Sequence, residues 1–387
     1  MFYPYIGVLS GYEEGLPTRD LQRLGGPFQE IEGGLKARRA GRRAELRLDY
    51  QFDLRHYTPS SRLDRSQHGV NLDTRFRLSP RLMLMLRDVG ASSSFGDFSG
   101  PADHPGAGFV AAAGPEAFHA RTIANTALAD LVFSPTADTS FSFGGDGFVI
   151  QRQFNALIDA VGWRARAELA RRYCRHKTVS LSYSFTHFDH SRNLGGADYT
   201  VYAVGHSWRR SKSSELDLLA GAGILRSAGT GFLQLDPEVA RLLGASGSTE
   251  VQSLHTWAPH LAAAWLQSIG RAELRLELSH LVSDGGGLSG LARQSQGTLT
   301  LRAAHSRAWR PEAMLSLQSY HSLDTLLYRN TTVLGGGGIA RRWGPRAEAV
   351  LRYQFAFYNY PRGLLRDFHR HQVSAGVVYY FRDWPSR

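Results

Sequence analysis

Cysteine occurs once in the 387 residues, as Cys174, so no internal disulfide is possible and a stapled scaffold is excluded. That thiol falls in the turn-like stretch RRYCRHK, where it reads as inert rather than redox-active. Long apolar runs are missing too. The best, Leu261 to Leu266, is far short of the roughly 20 residues a membrane-spanning helix needs, which excludes a helical membrane protein. There is no G-x-S-x-G elbow, no H-E-x-x-H and no phosphate-binding glycine loop. Catalysis is therefore not expected, and no cofactor is implied. His187 and Asp189 share one strand face, and His369 and His371 flank the last strand, but neither pair finds a third metal ligand. Basic stretches occur without any recognised nucleic-acid-binding motif.

Charged residues make up 20% and mean hydropathy is −0.28, values usual for a soluble protein. They do not exclude a membrane barrel, where only every second strand residue meets lipid. What the sequence has in plenty is glycine (41), phenylalanine (20) and tyrosine (16), arranged in long alternating runs. In residues 271–283, Ala272, Leu274, Leu276, Leu278 and Val282 fall on one face and Arg271, Glu273, Arg275 and Glu277 on the other. Residues 43–55 and 346–359 alternate the same way.

Such runs recur at residues 3–11, 28–38, 43–55, 66–78, 81–90, 119–133, 138–147, 157–170 and 177–189. They continue at 198–209, 214–226, 254–267, 271–283, 294–304, 312–321, 331–342, 346–359 and 369–381. They are joined by alternately short and long connections, and most are longer than the five or six residues usual for strands of soluble proteins. The pattern predicts an all-β fold: one domain over residues 1–387, a transmembrane antiparallel up-and-down β-barrel with short periplasmic turns and long extracellular loops. The strand count is 18, or 16 without the two least regular runs, 3–11 and 138–147. Residues 227–253 are expected to form a long loop with a short helix at PEVARLL. Trp208, Trp309, Trp343 and Trp384 fall beside short turns; Tyr199, Phe355, Phe357, Tyr358 and Tyr360 are expected at the opposite membrane interface. A soluble sandwich or propeller with the leucine face packed inward is the competing architecture.

The last run, HRHQVSAGVVYYF, sets Val373, Ala375, Val377, Tyr379 and Phe381 on one face. It resembles the closing strand of Gram-negative outer-membrane barrels, which ends in Phe. SRLDRSQHGVNLDTRFRLSPRLMLMLRD and RRYCRHKTVSLSYSFTHFD resemble hairpins of uncharacterised barrels found beside exopolysaccharide-export genes. The resemblance implies a bacterial outer-membrane location, lipid as surroundings, and a link to polysaccharide export. MFYPYIGVLSG lacks the charged and apolar regions of a secretory leader. A leader removed from this chain, or a misassigned start, is the expectation.

Parity then sorts the charges. Lumen-facing candidates are Arg47, Arg75, Arg77, Arg164, Arg166, Arg271, Arg275, Arg302, Arg352, Glu273, Glu277 and Glu348. Arg43, Glu45, Asp49, Asp53, Asp73, Glu168, Glu215 and Asp217 share that parity, so the signs nearly balance, which suits a water-filled pore for hydrophilic solutes and equally a closed, salt-bridged interior. The formal net charge of +11 gathers in short turns, where Arg38, Arg39, Arg171, Arg172, Arg209, Arg210 and Arg342 would form a basic collar at the periplasmic mouth. It would lie against anionic headgroups, or serve as a funnel for an anionic solute. The Gly/Ala/Ser/Pro-rich loop 91–118, with Asp97 and Asp103, is a candidate constriction. The function expected is a pore or channel. The alternatives are a closed scaffold barrel working with periplasmic or outer-membrane partner proteins, and an outer-membrane hydrolase.

Overall fold

Alternation at this length leaves the chain one economical arrangement, strands paired edge to edge until the last meets the first. The structure, a computed structural model, describes residues 2–17, 23–58, 63–93, 121–153, 158–191, 195–211, 213–234, 247–283, 291–303, 308–323, 329–359 and 367–381. In chain order the strands are β1 (Phe2–Pro17), β2 (Arg23–Ala40), β3 (Ala44–Tyr57), β4 (Arg65–Ser79), β5 (Leu82–Ser93) and β6 (Thr122–Phe133). Next come β7 (Thr139–Arg152), β8 (Ala160–Cys174), β9 (Lys177–His190), β10 (Gly196–Ser211), β11 (Ser214–Gln234) and β12 (Gly247–Ile269). The last six are β13 (Ala272–Ser283), β14 (Ala292–Ala303), β15 (Trp309–Ser322), β16 (Arg329–Trp343), β17 (Ala347–Asn359) and β18 (Phe368–Tyr380).

Every strand pairs antiparallel with its neighbours in sequence, and β1 also pairs with β18 through a ladder from Tyr5↔Tyr380 to Glu14↔His371. The 18-stranded sheet is thus a closed barrel with no free edge. Both runs that left the count open, 3–11 and 138–147, contribute strands. Among the described residues no helix is long and apolar enough to cross a membrane, which says nothing of crossing by strands.

Turns after even-numbered strands all lie at one end of such an up-and-down barrel. Several are very tight. Gly270 (φ 60°) and Gly344 (φ 81°) hold left-handed backbone in the β12–β13 and β16–β17 turns, a conformation that costs residues with a Cβ. At the other end the strands run further than sequence alternation indicates. β11 and β12 stay in register as far as Gln234↔Gly247, so much of the stretch 227–253 is ladder rather than loop. Once a hairpin is in register, each further pair adds a backbone hydrogen bond without a new loop closure. PEVARLL lies outside the described residues.

The partition of faces follows the sequence. Leu218, Leu261, Leu315, Leu351, Val373 and Val377 project outward and are exposed on the isolated chain. The buried apolar side chains sit inside the wall. One cluster joins Phe148, Phe188, Tyr199, Leu225 and Ala258; another joins Leu9, Val350 and Val378. Two aromatics expected at the outer interface belong to this interior: Tyr199 and Tyr358 are buried, on the opposite parity from exposed Phe357. Trp208, Trp309 and Trp343 are outward and exposed beside turns; Trp384 and Tyr360 lie outside the described residues. In the glycine run 335–338, Gly335 faces outward beneath the Phe355 ring, which a Cβ there would overlap.

Candidate functional site

The inward parity of the strands converges on one cavity of about 1370 Å³, lined from every strand except β1. Its cationic lining comprises Lys36, Arg55, Arg65, Arg87, Arg164, Arg166, Arg275, Arg302, Arg352 and Arg370. Among the described residues an equal number of carboxylates faces them: Glu30, Asp49, Asp53, Asp73, Asp130, Glu168, Asp217, Glu273, Glu277 and Glu312. Hydroxyl and amide groups fill the spaces, notably Ser180, Ser182 and Ser184 along β9 and Thr298, Thr300, Ser316 and Gln318 on β14 and β15. Such a wall is wettable and has little net charge.

Register explains how the charges meet. Asp146 and Arg164 stand directly opposite on β7 and β8, and Arg164 gives Asp146 Oδ1 two hydrogen bonds of 2.9 and 2.7 Å. Arg166 lies opposite Gly144. Lacking a side chain there, the wall lets Arg166 reach past β7 to Asp130 on β6, with Nε–Oδ1 at 2.9 Å. A Cβ at Gly144 would collide with the Asp130 carboxylate and the Ala129 carbonyl. Elsewhere Lys36 pairs with Asp49 at 3.3 Å, and Arg275 donates to Glu277 at 2.6 Å.

A denser group lines the cavity beside the β1–β18 seam. Glu13 is wholly buried and receives Arg55 Nη1 and Arg65 Nη2, each at 3.0 Å, with Arg370 Nε at 3.5 Å. Tyr57 donates its hydroxyl to the same carboxylate. Arg55 also holds Glu30 at 2.7 Å and Gln372 at 3.1 Å. It lies 4.5 Å from the Phe28 ring centroid, while Arg65 lies 5.3 Å from that of Tyr57.

Of the residues that parity aims inward, Arg164, Arg166, Arg275, Arg302, Arg352, Glu273 and Glu277 line the cavity. Arg47 and Arg75 lie nearer the turns, where they bond Glu45 (2.9 Å) and Asp73 (3.3 Å). Arg77 is exposed at the end of β4, and Arg271 belongs to the Gly270–Arg271 turn. Glu348 is buried and taken up by Tyr380 at 3.0 Å and by Arg310. The collar residues Arg38, Arg39, Arg171, Arg172, Arg209, Arg210 and Arg342 occupy strand ends at one rim. Several are spoken for: Arg38 holds Glu45 at 3.0 Å, Arg172 the Ala137 carbonyl at 3.1 Å, and Arg209 holds Glu215. Asp97 and Asp103 lie outside the described residues. Asp130, Asp146, Glu32 and the Glu13 group were not singled out from sequence. Counting parity from Leu131 and Phe133 finds Asp130; the Glu13 group needs the closed seam.

His187 faces outward, its Nδ1 2.7 Å from Asp198 and its Nε2 3.2 Å from Asp189. His371 is engaged by Tyr353 at 2.8 Å. Among the described residues no group of three His, Cys, Asp or Glu side chains is placed to hold a metal ion.

The architecture is therefore a closed antiparallel barrel with an oily exterior and an ion-balanced, water-accessible interior. No protein-family model matches the chain, and no curated protein does. Solved structures do resemble it in shape. Pseudomonas aeruginosa OccK2 (OpdF), crystallised with glucuronate, gives a TM-score of 0.48 at 9% identity, over 98% of both chains. The outer-membrane protein opdK of the same organism gives 0.45 at 11% identity, over 98% of this chain and 99% of the other. Acinetobacter baumannii OccAB4 gives 0.44 at 8% identity, over 98% of both.

Proposed function

We propose that this protein is a non-catalytic outer-membrane channel for small hydrophilic solutes. The observation that carries the reading is the combination of outward Leu, Val and Phe with an inward cavity on which the described residues place equal numbers of cations and anions. An apolar exterior is what hydrocarbon requires. A polar, wetted interior spares a passing solute the cost of losing water against an apolar wall.

The balanced lining favours neutral, zwitterionic or singly charged solutes over a polyanion, because paired opposite charges cancel within a few ångströms. A tie to anionic polysaccharide draws support only from the basic turns. The same arginine-rich rim would meet anionic headgroups and face the periplasm.

Planar-bilayer recording of the refolded chain tests this. Discrete, weakly ion-selective conductance steps are expected. Silence from a sample that has folded and inserted would remove the channel reading and favour a closed scaffold.

A further inference from the structure

Asp88 stands on the wrong side of the wall for a carboxylate. It is the seventh of the 12 residues of Leu82–Ser93, on the same face as Leu82, Leu84 and Leu86. Its sequence neighbour Arg87 lines the cavity, so alternation turns Asp88 outward. Its cross-strand partners are Leu72 on β4 and Ala127 on β6, both near the middle of their strands. Its hydrogen bond comes from Asn125, Nδ2–Oδ1 3.0 Å, and Asn125 also faces outward and is exposed. Lipid tails offer such a pair no donor and no acceptor, and polar groups at this depth are retained where something meets them.

The wall beside the pair is low. Gly90, Ala127, Ala129, Gly145, Gly147 and Ala165 form a patch of small residues on the outward face of β5–β8, rimmed by the larger exposed Leu86, Phe143, Val149 and Trp163. Small side chains let two backbones approach closely inside a membrane.

We propose that this wall docks a second copy of the same chain, two barrels side by side about a twofold axis parallel to their own. The Asp88–Asn125 pair is self-complementary. The carboxylate keeps lone pairs beyond the one Asn125 uses, and the amide keeps a second N–H. Across the twofold, each Asn125 donates to the other copy's Asp88, and both polar pairs leave the hydrocarbon together. The inference rests on the reading that the outward face meets lipid.

The single cysteine supplies the test, because Cys174 is exposed at the β8–β9 turn. Full-length protein carrying a fluorophore there is refolded into phosphatidylcholine vesicles at low density, and photobleaching steps are counted per spot. Two-step spots should dominate for the native chain. The double variant Asp88→Leu/Asn125→Leu should weaken pairing at least tenfold. Ala127→Trp, which keeps the polar pair but fills the flat wall, should do the same. Leu351→Trp, on the exposed outer face of β17, should change nothing. Single-step spots from inserted native protein overturn the pairing and leave the channel reading standing, as does pairing untouched by both wall variants. Failure to insert at all overturns the lipid-facing assignment itself, and the pairing with it.

Discussion

Arg352 on β17 grips Glu32 on β2, with Nη1–Oε2 at 2.7 Å and Nη2–Oε1 at 3.1 Å, passing over the two strands that close the barrel. The reach is possible because β1 offers only Gly7 beneath Glu32; a Cβ there would come within 2.8 Å of Glu32 Cγ. The pair thus clasps the seam from inside, where loop connectivity gives no help. Glu32→Gln should destabilise the barrel. Breaking a fully buried pair costs about 3–5 kcal/mol, and the one-third exposure of Arg352 reduces this to about 1–3 kcal/mol. Urea unfolding of vesicle-inserted protein, followed by tryptophan emission, checks it. The double variant Glu32→Gln/Arg352→Gln should lose less than the two single losses added together. An unchanged midpoint for Glu32→Gln would mean the seam is held by backbone pairing alone.

Gly144 marks a place where the wall is hollowed for an ion pair. Substitution by Ala puts a methyl group into the path between Arg166 and Asp130 and against the Ala129 carbonyl. Overpacking of this kind costs about 1–3 kcal/mol. Gly147, with only one atom near its Cβ position, the Gly162 carbonyl oxygen at 3.9 Å, is the control. Ala at 144 should lower the urea midpoint, and Ala at 147 should leave it nearly where it was.

The cavity's charge balance sets a sign for ion selectivity. Asp217 and Arg302 both line the lumen, and removing either tips the balance the opposite way. A unit charge about 10 Å from a passing ion in water is worth about 0.4 kcal/mol, roughly a factor of two in permeability ratio. Asp217→Asn should therefore shift the reversal potential in a KCl gradient toward anion preference, and Arg302→Gln toward cation preference. Both shifts should shrink in molar salt, where the screening length falls to about 3 Å. Shifts of the same sign would show that neither residue acts through its charge.

The inside–outside assignment has its own direct test on β17. Leu351 faces outward in the middle of Ala347–Asn359, while Gln354 lines the cavity three residues on. Arginine on the lipid face at midplane costs about 2–4 kcal/mol, whereas the lumen already accommodates arginines. Leu351→Arg should lower the unfolding free energy in vesicles by that amount, and Gln354→Arg should change it little. A soluble protein with its leucines packed inward would place Leu351 in its core and need no vesicle to fold.

Much of this partition was legible because β13 writes it in full, with Leu274, Leu276 and Leu278 against Glu273, Arg275 and Glu277. Strand number followed from the same alternation, and the ladder confirms 18 strands. Parity failed where runs mix small and aromatic residues. Tyr199 and Tyr358 have chemistry suited to an interface, yet each sits one residue off the outward register and is buried. Strand ends were underestimated on the long-loop side because β11 and β12 keep pairing beyond the apolar band. In the cavity, Arg164 and Arg166 were visible but their acids were not. Asp130 and Asp146 stand in stretches without strong polar alternation, and only register shows which arginine each meets.

Least legible was the Glu13 group, whose members come from opposite ends of the chain and meet only when β1 joins β18. Its energetics follow from burial. With the Glu13 side chain at 0% exposure and Arg65 and Arg370 at 9% and 5%, neutralising the carboxylate withdraws the buried negative charge that Arg55, Arg65 and Arg370 share. Glu13→Gln should thus cost about 3–5 kcal/mol. Tyr57→Phe removes one hydrogen bond to the same carboxylate but leaves every charge matched, and should cost about 1–3 kcal/mol. Amide hydrogen exchange locates the damage. In Glu13→Gln, protection should fall first along the β1–β18 ladder, while β13 and β14 on the far wall exchange as before. Uniform loss of protection round the barrel would mean the cluster supports the whole wall rather than its seam.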